Sequence, residues 1–395
     1  MIQTADQIYV RKVNTAIVLE TLRKMAPLSR AEISNYTGLN RSTVSSIVQI
    51  LLYDDLIRET ELQEDRVGRP GMSLTLNPLG GFAIGLEINV DYIGALLVDF
   101  NGRVLHQLKV DCHPKETKDQ ILNKAIDLGR VMVERASQSG VTVFGIGIGL
   151  PGVIDIHQGN LVFAPNLGWR DTPIKKLFYD QFNVPVFIEN EASCAALGEY
   201  RYGVAQEVPD FIYLSGGVGL GGGIMLQGEL FRGSIGYAGE IGHTVIYQDG
   251  NSCNCGRRGC WETYVGSDVI LDKYKNSFNS ENSDHLEFDD LVQAAEQNDP
   301  TVMGILRETA SHLGVGIVNL VNIFNPALVV VGGVLGRIGE WVIPQISEMI
   351  SGQALTGNLD PLPVRASQLG SDACLKGAVS LVLDEVIRNP SDWFS

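Results

Sequence analysis

One histidine and three cysteines lie close together in the sequence and have the residue types of a zinc site. They are His243, Cys253, Cys255 and Cys260, and together they span only eighteen residues. Three thiolates and one imidazole complete a tetrahedral Zn²⁺ shell and leave no position open for water, which favours a structural ion over a catalytic one. The alternative is a mobile loop with reduced cysteines, but this ligand set in so short a run favours zinc. We therefore expect a structural zinc loop over residues 243–260.

A second group of polar residues opens a predicted helix near the N-terminus. Apolar residues recur at helical spacing from residue 41 to residue 53, and the outward face carries hydroxyl side chains and one arginine. Such side chains reach phosphates and base edges when the first turn of a helix enters the major groove of DNA. The alternative is a solvated helix start in an unrelated small domain. We predict DNA contacts by Arg41, Ser42, Thr43, Ser45, Ser46 and Gln49.

The elements around this helix predict a winged helix-turn-helix. Apolar spacing indicates a helix over residues 7–26, and the S-R-A-E run at residues 29–32 is typical of a capping box that begins a second helix. Short apolar runs at 56–57 and 74–76 predict the two strands of a wing. We therefore expect a DNA-binding domain over residues 1–78.

The charge of this segment is modest, so its arginines matter. Residues 1–50 carry six Lys or Arg against three Asp or Glu, and residues 51–70 carry three against six, so the net charge of −16 lies entirely in residues 71–395. We expect the acidic remainder to repel DNA. Arg66 and Arg69 lie among Gly and Pro in the predicted wing loop, where they suit a narrow minor groove. A DNA reader with so little charge needs base contacts and two copies, which favours a homodimer.

From residue 79 to the end of the chain, apolar strand patterns alternate with helical patterns. This alternation predicts an α/β fold with two lobes, each built on a mainly buried sheet. The 45% hydrophobic content is that of a globular chain whose domains bury cores without disulfides. No apolar run reaches the length of a membrane span, and no signal-peptide core is visible at the N-terminus. We expect a cytoplasmic protein without a membrane partner.

From about Phe82 to Ile387 the chain resembles the ROK family of repressors and sugar kinases. The likeness rests on the IENEASCAALGE run and, together with the N-terminal runs ADQIYVRKVN and LSRAEISNYTGLNRSTVSS, points to the xylose-repressor branch of that family. The resemblance implies a hexokinase-like fold. We therefore expect an N-terminal winged helix-turn-helix followed by a two-lobed hexokinase/actin-like ROK domain over residues 79–395.

The resemblance also implies a sugar pocket. An IENDAN-like segment of ROK kinases supplies an Asn for sugar hydroxyls and a catalytic Asp, and the matching residues here are Asn190 and Glu191. The GEIGH run matches a family His that would hold zinc through one ring nitrogen and a sugar hydroxyl through the other. Carboxylates, amides and an imidazole suit a polyol because each hydroxyl both donates and accepts. The implied sugar contacts are Asn166, Asn190, Glu191, Glu240, His243 and Glu262.

The phosphate-binding segments of ROK kinases are altered in this chain. The kinases carry a D-x-G-G-T-like turn, but here Asn89 and Val90 stand at the glycine positions and Asp91 stands at the hydroxyl position, where its charge would repel phosphate. In the second loop, G-T-G-x-G in the kinases, Val218 lacks the hydroxyl. The third segment, at 329–336, is retained. Because phosphoryl transfer needs amides and hydroxyls around the phosphates, we expect no kinase turnover.

Two functions are compatible with these residues. The first is a dimeric repressor that binds double-stranded operator DNA and responds to a monosaccharide effector, xylose or a related sugar, with zinc as a structural cofactor. The alternative is an ATP-dependent ROK sugar kinase with a fused DNA-binding segment. An effector shifts DNA binding only if its affinity differs between two arrangements of the protein. Since the implied sugar contacts are retained, we expect the sugar to act as an inducer.

Overall fold

The computed structural model describes residues 7–61, 72–113, 115–278, 285–355 and 361–393. The chain forms two compact units. The first comprises Met1–Ile148, Lys176–Phe187 and Ala378–Ser395, and the second comprises Gly149–Lys175 and Ile188–Gly377. The boundary expected after residue 78 stays a prediction.

The first unit begins with three helices and a two-stranded antiparallel sheet, in the order expected for a winged helix-turn-helix. These elements are α1 (Gln7–Met25), α2 (Arg30–Thr37), α3 (Arg41–Tyr53), β1 (Ile57–Glu61) and β2 (Met72–Leu76). The predicted capping box is present, because Ser29 Oγ accepts the Glu32 N–H at 3.3 Å while the Glu32 carboxylate accepts the Ser29 N–H at 2.9 Å. The two strands extend further into the wing than the apolar pattern predicted, because polar residues 58–61 continue the backbone ladder.

The hydrophobic core of this three-helix segment is formed by buried side chains of α3 and α1. The apolar residues at helical spacing on α3 are buried, namely Val44, Ile47, Val48 and Leu51. Helix α1 contributes Val18, Leu19 and Leu22, which have no exposed surface. Val13 and Ile17, which share the apolar pattern of α1, are exposed because they lie on its opposite side. Among the α1 side chains whose burial the structure describes, those fully buried in this core lie in the C-terminal half of the helix.

The rest of the first unit is an α/β sandwich. Its elements are β3 (Phe82–Ile88), β4 (Tyr92–Val98), β5 (Val104–Asp111), α4 (Lys118–Gln138), β6 (Val143–Leu150) and α5 (Ile174–Phe182). With β10 (Val186–Asn190), the strands form a five-stranded sheet in the order β10-β6-β3-β4-β5. Every residue of β3 is buried, as expected for a strand in the middle of a covered sheet. Strand β5 escaped sequence prediction because most of its residues are exposed and half of them are polar.

The second unit contains a five-stranded sheet in the order β13-β12-β11-β14-β15 and a small sheet of β7, β8 and β9. Helix α10 is apolar on most of its surface, and it is the central helix of the large core beside the sheet. The elements are β7 (Val153–Asp155), β8 (Asn160–Ala164), β9 (Trp169–Thr172), α6 (Glu191–Tyr202), β11 (Phe211–Gly216), β12 (Leu220–Leu226), β13 (Glu229–Leu230), α7 (Glu262–Val265), α8 (Ser267–Asn276), α9 (Phe288–Glu296), α10 (Pro300–Phe324), β14 (Leu328–Gly332), α11 (Gly333–Arg337), α12 (Gly339–Gln353) and β15 (Val364–Ala366). Helix α13 (Ala373–Arg388) begins in the second unit and continues into the first, which includes the chain from Ala378 onward.

Among the described helices, none combines the length and the apolar character that a membrane crossing requires.

Candidate sugar, metal and DNA sites

The four predicted metal ligands converge in the second unit. One ligand atom from each of His243, Cys253, Cys255 and Cys260 lies within 4.8 Å of the other three. The Cys255 and Cys260 sulfurs are 3.6 Å apart, and the Cys253 sulfur is 3.7 Å from His243 Nδ1. A tetrahedral ion with Zn–S bonds of about 2.3 Å holds its sulfurs roughly 3.8 Å apart. Donor types and spacing therefore fit one zinc ion bound through Nδ1 of His243.

Close backbone approach brings the ends of this loop together. Val245 pairs with Cys260 in an isolated antiparallel bridge, so the chain entering the loop lies beside the chain leaving it. Gly259 has a φ of 74°, and a Cβ at this position would lie 1.6 Å from the carbonyl oxygen of Tyr247. Only glycine permits this approach.

The three thiols differ in how readily they ionise. Burial raises the pKa of Cys253 and of Cys260, and a hydrogen bond adds to the shift in each case. Burial acts in the same direction on Cys255, but hydrogen bonds from Arg257 outweigh it and, with help from the neighbouring thiols, lower the pKa of Cys255 to about 6. Because a metal ion binds the thiolate, the lowered pKa of Cys255 favours the form that binds metal.

Two carboxylates flank the imidazole of His243. Glu262 Oε1 lies 3.2 Å from His243 Nδ1 and accepts the thiol hydrogen of Cys253 at 2.9 Å, while Glu240 Oε2 lies 4.0 Å from Nε2. Burial raises the pKa of Glu240, against the effect of His243 and with a further contribution from Glu262. With a metal ion on Nδ1, Nε2 faces Glu240 and is available to a polar ligand.

The glycine loop between β11 and β12 holds two of the expected sugar contacts close together. A Cβ on Gly219 would lie 2.8 Å from Glu262 Oε2 and 3.4 Å from Asn166 Nδ2, so both side chains reach the backbone of Gly219. A larger residue would displace at least the Glu262 carboxylate. The sequence motif of this loop indicates only a phosphate-binding segment and does not reveal its contact with Asn166 and Glu262. No local signal could have indicated it, since the three residues are distant in the sequence.

Asn190 and Glu191 lie where β10 ends and α6 begins. Asn190 is the N-cap of α6: its Oδ1 accepts the N–H groups of Ala192 at 2.9 Å and Ser193 at 3.4 Å, and its Nδ2 donates to Gly152 O at 3.0 Å. The amide of Asn190 therefore retains one N–H for a ligand and has little accepting capacity left. Glu191 is the first residue of the helix, half-buried.

The six expected sugar contacts all belong to the second unit. Asn166, Glu240, His243 and Glu262 are grouped around the zinc loop by the distances above. Asn190 and Glu191 are placed by the first turn of α6, which packs on β12. Their roles in sugar binding stay predictions.

The first turn of α3 is fixed by a cap, and its polar side chains face solvent. Asn40 Oδ1 accepts the Thr43 N–H at 2.8 Å and the Ser42 hydroxyl at 2.7 Å. This cap orients the start of the helix that is expected to enter the major groove. The six expected contacts on this helix are exposed or half-buried, namely Arg41, Ser42, Thr43, Ser45, Ser46 and Gln49.

Helix α1 adds a second wall to this candidate DNA interface. A groove of 450 Å³ lies between α1 and α3, with Gln7, Arg11 and Asn14 on one side and Ser42 and Ser46 on the other. The sequence pattern predicts a DNA-facing surface on α3 and the wing alone, because the side of α1 that faces this groove is determined only when the helices pack.

The wing arginines, Arg66 and Arg69, lie outside the described residues, and their DNA contacts stay predictions. The base of the wing is attached to α2 by an ion pair in which Arg30 Nη2 lies 2.9 Å from Glu59 Oε1. This pair joins β1 to α2 at the surface of the domain.

In the turn after β3, the Asn89 side chain forms hydrogen bonds with neighbouring residues of the chain. Asn89 Oδ1 accepts the Val90 N–H at 2.7 Å, and Asn89 Nδ2 donates to Glu87 Oε1 at 3.2 Å. The family resemblance places phosphate-binding amides in this turn, and here the Asn89 side chain takes one of them. In the loop between β11 and β12, Val218 is exposed and presents an apolar side chain.

Comparison with known proteins extends over the whole chain. The ROK family matches residues 83–385. The xylose repressor of Bacillus spizizenii is 35% identical over 387 residues, which cover 97% of this chain and 98% of the repressor. The crystal structure of a ROK family transcriptional regulator, a homologue of the E. coli MLC protein, has a TM-score of 0.83 at 27% identity and covers 96% of this chain and 97% of its own.

A kinase of the family matches less of the chain. The glucokinase of Streptomyces griseus, crystallised with glucose and AMPPNP, has a TM-score of 0.68 at 35% identity and covers 99% of its own chain but 76% of this one. The expected resemblance and fold class are confirmed, since the regulator match includes the N-terminal helices as well as the two α/β units. This chain belongs to the ROK family.

Proposed function

We propose that this chain is a sugar-responsive transcriptional repressor of carbohydrate-utilisation genes. It binds double-stranded operator DNA as a homodimer and releases that DNA when a monosaccharide, xylose or a related sugar, binds. The observation that carries the proposal is the match to xylose repressors over nearly the full length of both chains, including the DNA-reading segment. The action on operator DNA places the protein in the cytoplasm.

The sugar site has the donors and acceptors that a polyol requires. Glu240 and Glu262 are acceptors, the remaining N–H of Asn190 is a donor, and Nε2 of His243 serves as either, according to its tautomer. Glu191 at the start of α6 supplies a further carboxylate. A bound zinc ion would fix the tautomer and orientation of His243 and hold the loop closed.

The proposal includes the absence of kinase turnover. The side chain of Asn89 occupies a backbone N–H in the turn after β3, and Asp91 adds a negative charge where phosphate would approach. Val218 offers no hydroxyl. The alternative, an ATP-dependent ROK sugar kinase, is less favoured because the glucokinase match omits much of this chain.

The sugar effect is tested with DNA and effector together. The probe is a duplex selected from a random-sequence pool by the wild-type protein, and binding is followed by fluorescence anisotropy with and without xylose. Xylose is expected to release the duplex from the wild type. Glu191→Ala should bind the duplex normally and no longer respond to xylose, whereas the control Glu134→Ala, on exposed α4 surface, should behave as wild type. Release from Glu191→Ala would show that the sugar site is misplaced.

The DNA-reading role of α3 is tested with the same duplex. Arg41→Ala should weaken binding by roughly tenfold or more, because an arginine contact to base or phosphate contributes about 1–3 kcal/mol. Its xylose affinity, measured by calorimetry without DNA, should be unchanged. Arg103→Ala, which removes an exposed arginine outside the DNA-binding segment, is the control. Equal losses in both variants would count against a specific role for α3.

The kinase alternative is tested by ADP formation in a coupled assay with ATP and either xylose or glucose. We expect no turnover above the background of the assay. A rate above about 1 s⁻¹, the low end for ordinary enzymes, would contradict the proposed absence of kinase activity.

A further inference from the structure

A cavity of 660 Å³ adjoins the zinc loop in the second unit and is not part of the proposed sugar site. Its walls come from residues 247–251 of that loop, from Thr263 and Tyr264 of α7, from Val269 and Lys273 of α8, and from Glu308 and His312 of α10. The described residues that line it include no expected metal ligand and no expected sugar contact. Its volume lies within the range of pockets that bind small organic ligands.

Three aromatic rings form one wall of this cavity. The ring centroids of Tyr247 and Tyr264 are 5.0 Å apart, and those of Tyr264 and His312 are 5.1 Å apart. Burial lowers the pKa of His312, with a contribution from Lys273, so the imidazole is neutral at neutral pH. Tyr247 packs on the other two rings and is still 46% exposed, so its ring can contact a ligand. Such a surface is suited to the apolar C–H face of a sugar ring.

The polar groups of the cavity favour a neutral ligand. Lys273 Nζ lies 2.9 Å from Glu308 Oε1, so these two charges compensate each other. Asp249 then leaves a net negative charge, which disfavours phosphates and other anions. Asn251 is held in place by a bond from its N–H to the Tyr264 hydroxyl at 2.9 Å and from its Nδ2 to Thr263 O at 3.1 Å. Carboxylate, amide and ammonium groups around aromatic rings supply both donors and acceptors for hydroxyls.

We propose that this cavity is a second saccharide site, which takes a short neutral oligosaccharide of two or three sugar rings. The cavity is broad and open to solvent, so a single ring would contact only part of its wall, whereas consecutive rings reach both the aromatic rings and the Lys273–Glu308 pair. The ligand contacts Tyr264 on α7, the helix that also carries Glu262. The residues proposed to bind the oligosaccharide differ from the proposed monosaccharide contacts, so binding here does not require an intact monosaccharide site.

The test is calorimetric titration of the full chain with xylobiose. Glu191→Ala serves as the background, so that binding at the proposed monosaccharide site does not contribute. This variant should bind xylobiose at one site. Adding Tyr247→Ala should weaken that binding about tenfold or more, since it removes an aromatic contact, while adding Tyr36→Ala, an exposed tyrosine on α2, should not. His312→Ala should weaken it as well.

Three outcomes would overturn the proposal. The first is no xylobiose binding by the wild type, and the second is its complete loss in Glu191→Ala, which would assign xylobiose to the monosaccharide site. The third is equal xylobiose affinity when Tyr247→Ala or Tyr36→Ala is added to Glu191→Ala. Failure of xylose to release DNA would contradict the proposed function instead, and it would not alter the result of this titration.

Discussion

The zinc loop and the DNA-reading helix are built in opposite ways. Around the zinc loop the side chains contact one another: Glu262 Oε1 is 3.2 Å from His243 Nδ1 and 2.9 Å from the Cys253 sulfur. On α3, Arg41 and Gln49 are exposed to solvent. The hydrogen bond that the Ser42 hydroxyl donates to the N-cap residue Asn40 is a local contact at the start of the helix. The first region is therefore defined by its own internal contacts, and the second by exposed side chains whose proposed partner is DNA.

This difference predicts different consequences of substitution. Removing a partner from a partly buried polar group costs about 1–3 kcal/mol, because the remaining group loses its hydrogen bond without regaining water. A surface substitution away from such contacts usually changes stability by no more than about 0.5 kcal/mol. Changes in the zinc loop should thus be visible in the protein alone, whereas changes on the outer face of α3 should be visible only in DNA binding.

The largest expected effect is the loss of a zinc ligand. Cys255→Ser should lower the zinc content from one ion per chain to near zero, because serine is a poor zinc ligand at neutral pH. Losing ~3 kcal/mol of loop stability would lower the Tm by roughly 6–12 °C in a domain of this size. Zinc is measured by mass spectrometry and Tm by calorimetry, with Cys112→Ser, outside the cluster, as the control. If the wild type contains no zinc and Cys255→Ser has the same Tm as the wild type, residues 243–260 do not bind a structural ion.

The features that the sequence predicts well are those whose contacts are local. The four expected metal ligands span eighteen residues, and the capping box needs only Ser29 and Glu32, so residue types and spacing are enough to predict that the four side chains converge and that the box forms. The polar face of α3 follows from a helical period around buried residues such as Val44 and Val48. In each case, contacts between residues that are close in the sequence determine most of the local structure.

The features that were missed depend on how distant segments pack. Gly219 meets both Asn166 and Glu262, and nothing in the three sequence positions indicates that contact. Val13 and Ile17 fit the helical pattern of α1, yet they are exposed, because the pattern does not specify which side of a helix faces the core. The extension of β1 beyond Ile57 escaped for a related reason, since backbone pairing with β2 does not require apolar side chains.

A substitution of intermediate effect separates the two roles of Glu262. Glu262→Gln removes the negative charge beside Cys253 and His243 but leaves all four expected metal ligands in place, so zinc should stay at one ion per chain. Xylose affinity should fall about tenfold, because hydrogen bonds to a charged group contribute roughly 1.5–3 kcal/mol and a neutral amide restores part of that. Glu296→Gln, on the exposed end of α9, is the control. Parallel loss of zinc and xylose would mean that the carboxylate supports the loop and does not contact the sugar directly.

The smallest expected effect compares two helix caps within the DNA-binding segment. Asn40→Ala and Ser29→Ala each remove one N-cap, of α3 and of α2, and each should cost about 1 kcal/mol in unfolding free energy measured with urea. Their effects on DNA should differ. Asn40 also holds the Ser42 hydroxyl at 2.7 Å, so its loss should weaken binding of the selected duplex by a larger factor than the loss of Ser29 does. Equal losses in the two variants would indicate that DNA affinity follows the stability of the domain, and that the first turn of α3 has no separate role in recognition.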